Sequence, residues 1–172
     1  MAETLLIRMA ADAAGFRDWL LADEQGQAMS PVQAGAPDAG VIAATPRVVV
    51  LVPGAEVLLS EARVPGRNRQ RALRAIPFAL EERLATDVDN LHFALGAVQD
   101  GERFPVAVVD RSRMDAWAAL LQDLNIQAHQ WVPDVLAMPL ADDGAWCLMV
   151  DGGTVLRRGG SYRGTAAATG WL

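Results

Sequence analysis

The spacing of hydrophobic and polar residues along this chain predicts short strands punctuated by two helices. Thr4–Met9 reads as a strand and Phe16–Leu21 as a second, with the small residues 10–15 turning the chain between them. Gly26–Gly40 is rich in Gly, Pro, Ala and Gln, lacks periodicity, and reads as a loop with weak edge structure. Arg47–Val52 is a β-branched run of the kind buried on both faces of a sheet. Pro53-Gly54 then turns the chain into a strand over Glu56–Val64, which Pro65-Gly66 closes.

Asn68 is placed to cap a helix in which Leu73, Ile76, Leu80 and Leu84 recur at helical spacing. These four are the predicted core face, each stabilising the fold by roughly 1.5–3 kcal/mol on burial. Pro77 should kink this helix or begin a second helical segment. Leu91–Val98 and Phe104–Val109 predict a hairpin around Gln99-Asp100-Gly101. Ser112 reads as the cap of a second helix reaching about Leu124, with Met114, Trp117, Leu120, Leu121 and Leu124 as its stripe. Ile126–Val132 is a returning strand, and Asp134–Leu140 fits one helical turn. After the turn signal Ala141–Gly144, a strand pair flanks Asp151-Gly152-Gly153-Thr154. The division expected from this order is a first domain over 1–140 and the start of a second, β-rich domain, cut short, over 141–172.

Composition narrows the function classes. Hydrophobic residues make up 52% of the 172 residues, ample for a core and far from the signature of disorder. The net charge of −6 argues against nucleic acid as a partner. All 15 basic residues are arginine, so no lysine is present to act as a catalyst. Cys147 is the single cysteine, which excludes an intramolecular disulfide and a thiolate cluster; its apolar surroundings predict a buried small hydrophobe. No apolar stretch approaches the ~20 residues that cross a bilayer.

Little of this pattern points to catalysis. His92 and His129 lie on separate strands without HxxxH or Cys spacing, so neither a metal site nor a Ser-His-Asp triad has a local signature. Glu81, Glu82, Asp87 and Asp89 are not placed in pairs across a cleft, as acid–base work requires. Arg63, Arg67, Arg69, Arg71 and Arg74 form a basic cluster that lacks the interleaved aromatic residues of nucleic-acid modules. Together these groups make one helical segment basic at its start and acidic at its end. That layout suits oriented docking to another protein, with Arg71, Arg74, Glu81 and Glu82 as the candidate contacts. A plain solvated helix is the competing reading. Asp151-Gly152-Gly153-Thr154 is the one phosphate-like motif, and Asp-Gly is equally a common hairpin turn.

The run from Val48 to Gly54, then Leu58–Pro65, then Arg71-Ala72-Leu73-Arg74-Ala75-Ile76-Pro77-Phe78-Ala79-Leu80-Glu81-Glu82-Arg83-Leu84-Ala85, resembles the cytoplasmic domain of type II secretion system protein L. His92-Phe93-Ala94-Leu95-Gly96 continues the match, which covers mainly residues 48–110. The resemblance implies an actin-like α/β fold: a first RNase H-like half with a mixed sheet and flanking helices, and a second half incomplete within these residues. It implies a non-enzymatic module without cofactor or metal that recruits the secretion ATPase, protein E, to the bacterial inner membrane. A membrane helix and a periplasmic domain contacting protein M are expected elsewhere in a longer protein, making this piece its soluble cytoplasmic part. A homodimer is compatible with the family, but no apolar stripe can be assigned to it from sequence. The alternative is a nucleotide-binding actin-like ATPase of the pilus-assembly or cell-division type. That would need a second phosphate loop after the first strand, where Ala10-Ala11-Asp12-Ala13-Ala14-Gly15 has the wrong spacing and no hydroxyl residue.

Overall fold

The computed structural model describes residues 4–11, 15–66, 68–141 and 144–169. Asp12–Ala14 of the first turn, Arg67 of the basic cluster, and Asp142 and Asp143 of the later turn lie outside the described residues. The chain forms two compact units that do not follow chain order. One comprises Met1–Pro53 with Asp115–Ala137, and the other Gly54–Met114 with Met138–Leu172.

The first unit is built on a five-stranded mixed sheet. Strands β1 (Thr4–Met9) and β2 (Phe16–Ala22) form an antiparallel pair, and the two-residue β3 (Gln33–Ala34) adds to the edge of β2. On its other side β1 pairs in parallel with β4 (Arg47–Val52), Leu5 facing Val48, and β4 in turn pairs in parallel with a later strand over Gln130–Pro133. An antiparallel meander extended by two parallel strands is the arrangement expected of an RNase H-like half. On β1, Leu5, Ile7 and Met9 are buried and alternate with half-buried residues. On β4, Val48, Val49, Val50 and Val52 are all buried, as on a strand covered on both faces of its sheet.

The segment read as a loop contains more order than its composition suggests. Besides β3, a short helix, α1 (Ala39–Ala44), begins at its last two residues and buries none of its own. A helix of six residues, four of them alanine or glycine, is too short for an apolar stripe to show a period. It stops at Thr45, whose hydroxyl donates to the Val41 carbonyl, immediately before Pro46.

The second unit carries two antiparallel three-stranded sheets. β5 (Val57–Arg63), β6 (Leu91–Leu95) and β7 (Arg103–Asp110) form the first, with β7 central. Helix α2 (Arg69–Leu80) packs on β5 and β6, and Ala72, Ile76 and Leu80 join Ala62, Val64, Phe104, Val106 and Val108 in one core. The predicted face is therefore displaced. Leu73 is 45% exposed and Leu84 only partly buried, because the packed row runs through Ala72 at i, i+4, i+8 and the helix ends before Leu84. Pro77 sits inside α2 and cannot donate to the Leu73 carbonyl, which belongs to an exposed residue. The helix ends at Leu80 and gives way to a 3₁₀ turn over Glu81–Arg83.

Helix α3 (Arg111–Asp123) is capped by Asp110 rather than Ser112. The Asp110 carboxylate accepts from the Ser112 N–H at 2.8 Å and from its hydroxyl at 2.6 Å. Trp117 and Leu121 are its buried residues. Its end is a left-handed Asn125, with Ile126 N–H donating to the Leu121 carbonyl and Asn125 N–H to that of Gln122. Those bonds use the residues expected to begin the next strand, so β8 (Gln130–Pro133) starts four residues late. Asp134–Ala137 then forms a 3₁₀ turn.

The second sheet of this unit consists of β9 (Cys147–Asp151), β10 (Thr154–Gly160) and β11 (Arg163–Ala168), with β11 lying against β5. Gly152 and Gly153 both have positive φ and make the two-residue turn between β9 and β10. Cys147 is half-buried rather than buried. It opens the edge strand β9, on which Leu148 and Val150 are 65% and 69% exposed.

Candidate functional site

The four predicted contact residues come together on the outward side of α2 and the turn that follows it. Asn68 sets the start of the helix by accepting from the Arg71 N–H at 3.0 Å. Arg69 ties that first turn to the neighbouring strand, its guanidinium donating to the Leu95 carbonyl at 2.5 Å and the Gly96 carbonyl at 3.1 Å. Arg83, beyond the far end, reaches the Glu61 carbonyl at 3.5 Å. Two of the arginines around this segment thus hold structure. Arg71, Arg74, Glu81 and Glu82 are exposed, and none has an ion-pair partner among the described residues.

Between the two pairs of charges stands Phe78, 71% exposed. Sequence reasoning placed Leu73, Ile76, Leu80 and Leu84 in the core and gave Phe78 no role. The signal was present in the phase of the helix, since Phe78 is four residues from both Arg74 and Glu82 and off the Ala72–Ile76–Leu80 row. The outward side of α2 thus carries an exposed aromatic ring flanked by exposed charges of both signs.

The remaining candidates are committed to the fold. His129 accepts from the Val48 N–H through Nδ1 at 3.1 Å and so extends the β4–β8 pairing; His92 lies on β6 in the other unit. Among the described residues no group of three His, Cys, Asp or Glu side chains converges as a metal site. Asp87 accepts from the Asp89 N–H at 2.9 Å and caps a 3₁₀ turn over Val88–Asn90. A cleft of about 450 Å³ in the second unit is lined by Leu58, Leu84, Thr86, Val108 and Thr165 together with Glu56 and Asp110. Its two carboxylates are already engaged: Glu56 pairs with Arg113 at 3.2 Å, and Asp110 caps α3. The Ser112 hydroxyl and N–H hold the Asp110 carboxyl below its ordinary value.

Comparison with known proteins bears on what this surface serves. The sequence model of the family described as type II secretion system (T2SS), protein L, matches residues 5–172. Type II secretion system protein L of Dickeya chrysanthemi is 34% identical over 98% of this chain and 43% of its own length. The Klebsiella pneumoniae protein of that name is 36% identical over 99% of this chain and 43% of its own. The chain thus spans less than half the length of these curated relatives. Among solved structures, the cytoplasmic domain of EpsL, an inner membrane component of the type II secretion system of Vibrio cholerae, superposes with a TM-score of 0.77. It is 26% identical, and the match covers 99% of this chain and 73% of that one. A Bacteroides thetaiotaomicron protein with an actin-like ATPase fold, 10% identical with a TM-score of 0.50, covers 96% of this chain and 69% of its own and shares the fold alone.

Proposed function

The chain belongs to the type II secretion system protein L family, and from that premise we propose that it is an assembly module, without catalysis of its own, that holds the secretion ATPase, protein E, at the inner membrane. The observation that carries this reading is the outward side of α2. Arg71 and Arg74, Phe78, and Glu81 and Glu82 stand exposed in that order along about 16 Å of helix and turn. Charges arranged in sequence set the register and rate of association, while a central aromatic ring supplies a desolvated anchor.

The turn at Asp151–Thr154 supports the non-enzymatic part of the proposal. Its two glycines serve a hairpin with both φ positive, and the Gly153 carbonyl accepts from the Thr169 N–H at 2.8 Å. This geometry is accounted for by the β9–β10 connection alone. In the full-length protein, a membrane helix and contacts with protein M and other inner-membrane components would lie in segments other than these 172 residues.

The test is calorimetry with the N-terminal domain of the cognate protein E. Glu81→Arg combined with Glu82→Arg should weaken binding about tenfold or more, equivalent to at least 1.4 kcal/mol, with the melting temperature unchanged. Unaltered affinity in a folded variant removes this surface from consideration.

A further inference from the structure

The apolar sheet face that α2 covers extends beyond the helix. On β5, Ala62 and Leu58 lie four residues apart and so face the same side of the sheet, and Leu58 pairs with Val108 of β7. Ala62 belongs to the core packed by α2 and is 6% exposed, whereas Leu58 is 50% exposed. The helix stops at Leu80, and the chain that follows it forms, with this uncovered end of the sheet, the cleft of about 450 Å³. Leu58, Leu84 and Val108 are among its walls. Small-molecule sites commonly occupy about 300–1,000 Å³ and pair such walls with a few polar groups.

The charged lining of the cleft is acidic. Glu56 and Asp110 supply its carboxylates, and no arginine or histidine lines it among the described residues. Arg113 compensates Glu56 at 3.2 Å. Asp110 is bonded by neutral groups, the Ser112 hydroxyl and N–H, and makes no ion pair among the described residues. It follows Val108 by two positions on β7, so its charge borders the apolar walls on the same side of the sheet. We propose that the cleft binds a small organic cation, its apolar body against Leu58, Leu84 and Val108 and its ammonium or guanidinium group against Asp110.

The hydroxyls of Thr86 and Thr165, also in the lining, are acceptors for the remaining N–H groups of such a head. An anion would meet Asp110 with like charge, and an uncharged apolar molecule would leave that charge uncompensated. The net charge of −6 further favours the approach of a cation. A ligand held by the folded cleft alone raises the melting temperature in proportion to its occupancy. The inference rests on the cleft and is independent of the reading that assigns the outward side of α2 to protein E.

Three probes with one chain and different heads test it: n-octylamine, n-octanol and octanoate, which at pH 7 are positive, neutral and negative. Titration followed by amide NMR should show saturable one-to-one binding of octylamine, with the moving signals at Glu56–Leu59, Leu84–Thr86 and Val108–Asp110. Octanol should bind about tenfold more weakly, and octanoate not at all. Asp110→Asn keeps an equally good helix cap but removes the charge, so it should weaken octylamine about tenfold and leave octanol unchanged. Leu58→Arg, at a half-exposed position, leaves that cap intact and brings a cation of its own into the cleft, which should abolish octylamine binding. Circular dichroism checks that both variants are folded. The proposal is overturned if octylamine does not saturate at millimolar concentration, if octanol binds equally well, or if either folded variant binds octylamine as the parent does. Signals that move instead on the exposed strand β9, around Leu148 and Val150, would overturn it too.

Discussion

Two residues show how much of this fold rests on single atoms. A Cβ at Gly96 would stand 2.9 Å from Cε1 of Tyr162 and 3.1 Å from Cβ of Pro105, so the strand end leaves no room for a methyl group. Gly96→Ala should cost about 1–3 kcal/mol by overpacking, measured by urea unfolding. Combining it with Tyr162→Ala should recover part of that loss, and a strictly additive double variant would mean the ring is not the obstacle. Asp110 offers a pH-dependent test. Its folded carboxyl titrates below the ordinary 3.8, held there first by the Ser112 hydroxyl and then by the Ser112 N–H. A depressed folded value means that the cap stabilises above the unfolded-state value and is lost as pH falls through the folded one. Stability should therefore fall more steeply with falling pH in the parent than its other carboxylates alone dictate, and Asp110→Asn should flatten that segment of the profile. The glycine of the "HFALG" run was visible in the sequence, but its neighbour Tyr162, 66 positions on, was not. Asp110 was visible too, yet the Ser112 hydroxyl two residues on gave a competing cap signal.

At the scale of elements, periodicity predicted where strands and helices lie more reliably than which side they bury. β1 and β4 have the predicted bounds, and the cap at Asn68 is in place. For α2, two apolar rows one residue apart were open to the core, through Ala72–Ile76–Leu80 or through Leu73, and the smaller alanine allowed the close approach to β5 and β6. Ile76→Ala should cost about 2–5 kcal/mol, as for other core aliphatic truncations. Leu73→Ala, at a largely exposed position, should stay under about 1 kcal/mol. Equal losses from thermal or denaturant unfolding of the two variants would contradict this assignment of faces. The shortened β8 has a comparable origin, since the left-handed turn at Asn125 uses backbone bonds that period-two alternation does not reveal.

Over the whole molecule, the residues that carried the family resemblance occupy two different units. Val48–Val52 belong to β4, between β1 and β8 in the five-stranded sheet of the first unit, and Arg71–Gly96 include the helix and strand of the second. The family model extends the match to residues 5–172, well beyond the quoted motifs. By itself the sequence determined the strands β1, β2 and β4, the hairpins at Gly101 and Gly152, the charge order along α2 and the family. These depend on neighbours within a few positions, where alternation, turn chemistry and spacing act directly. Only the tertiary structure decided that β4 lies between β1 and β8, that Arg69 is bound to strand carbonyls while Arg71 and Arg74 have no ion pair among the described residues, and that Phe78 faces outward. Each of these depends on which distant segment takes up a given face or bond, and local pattern carries no record of that choice.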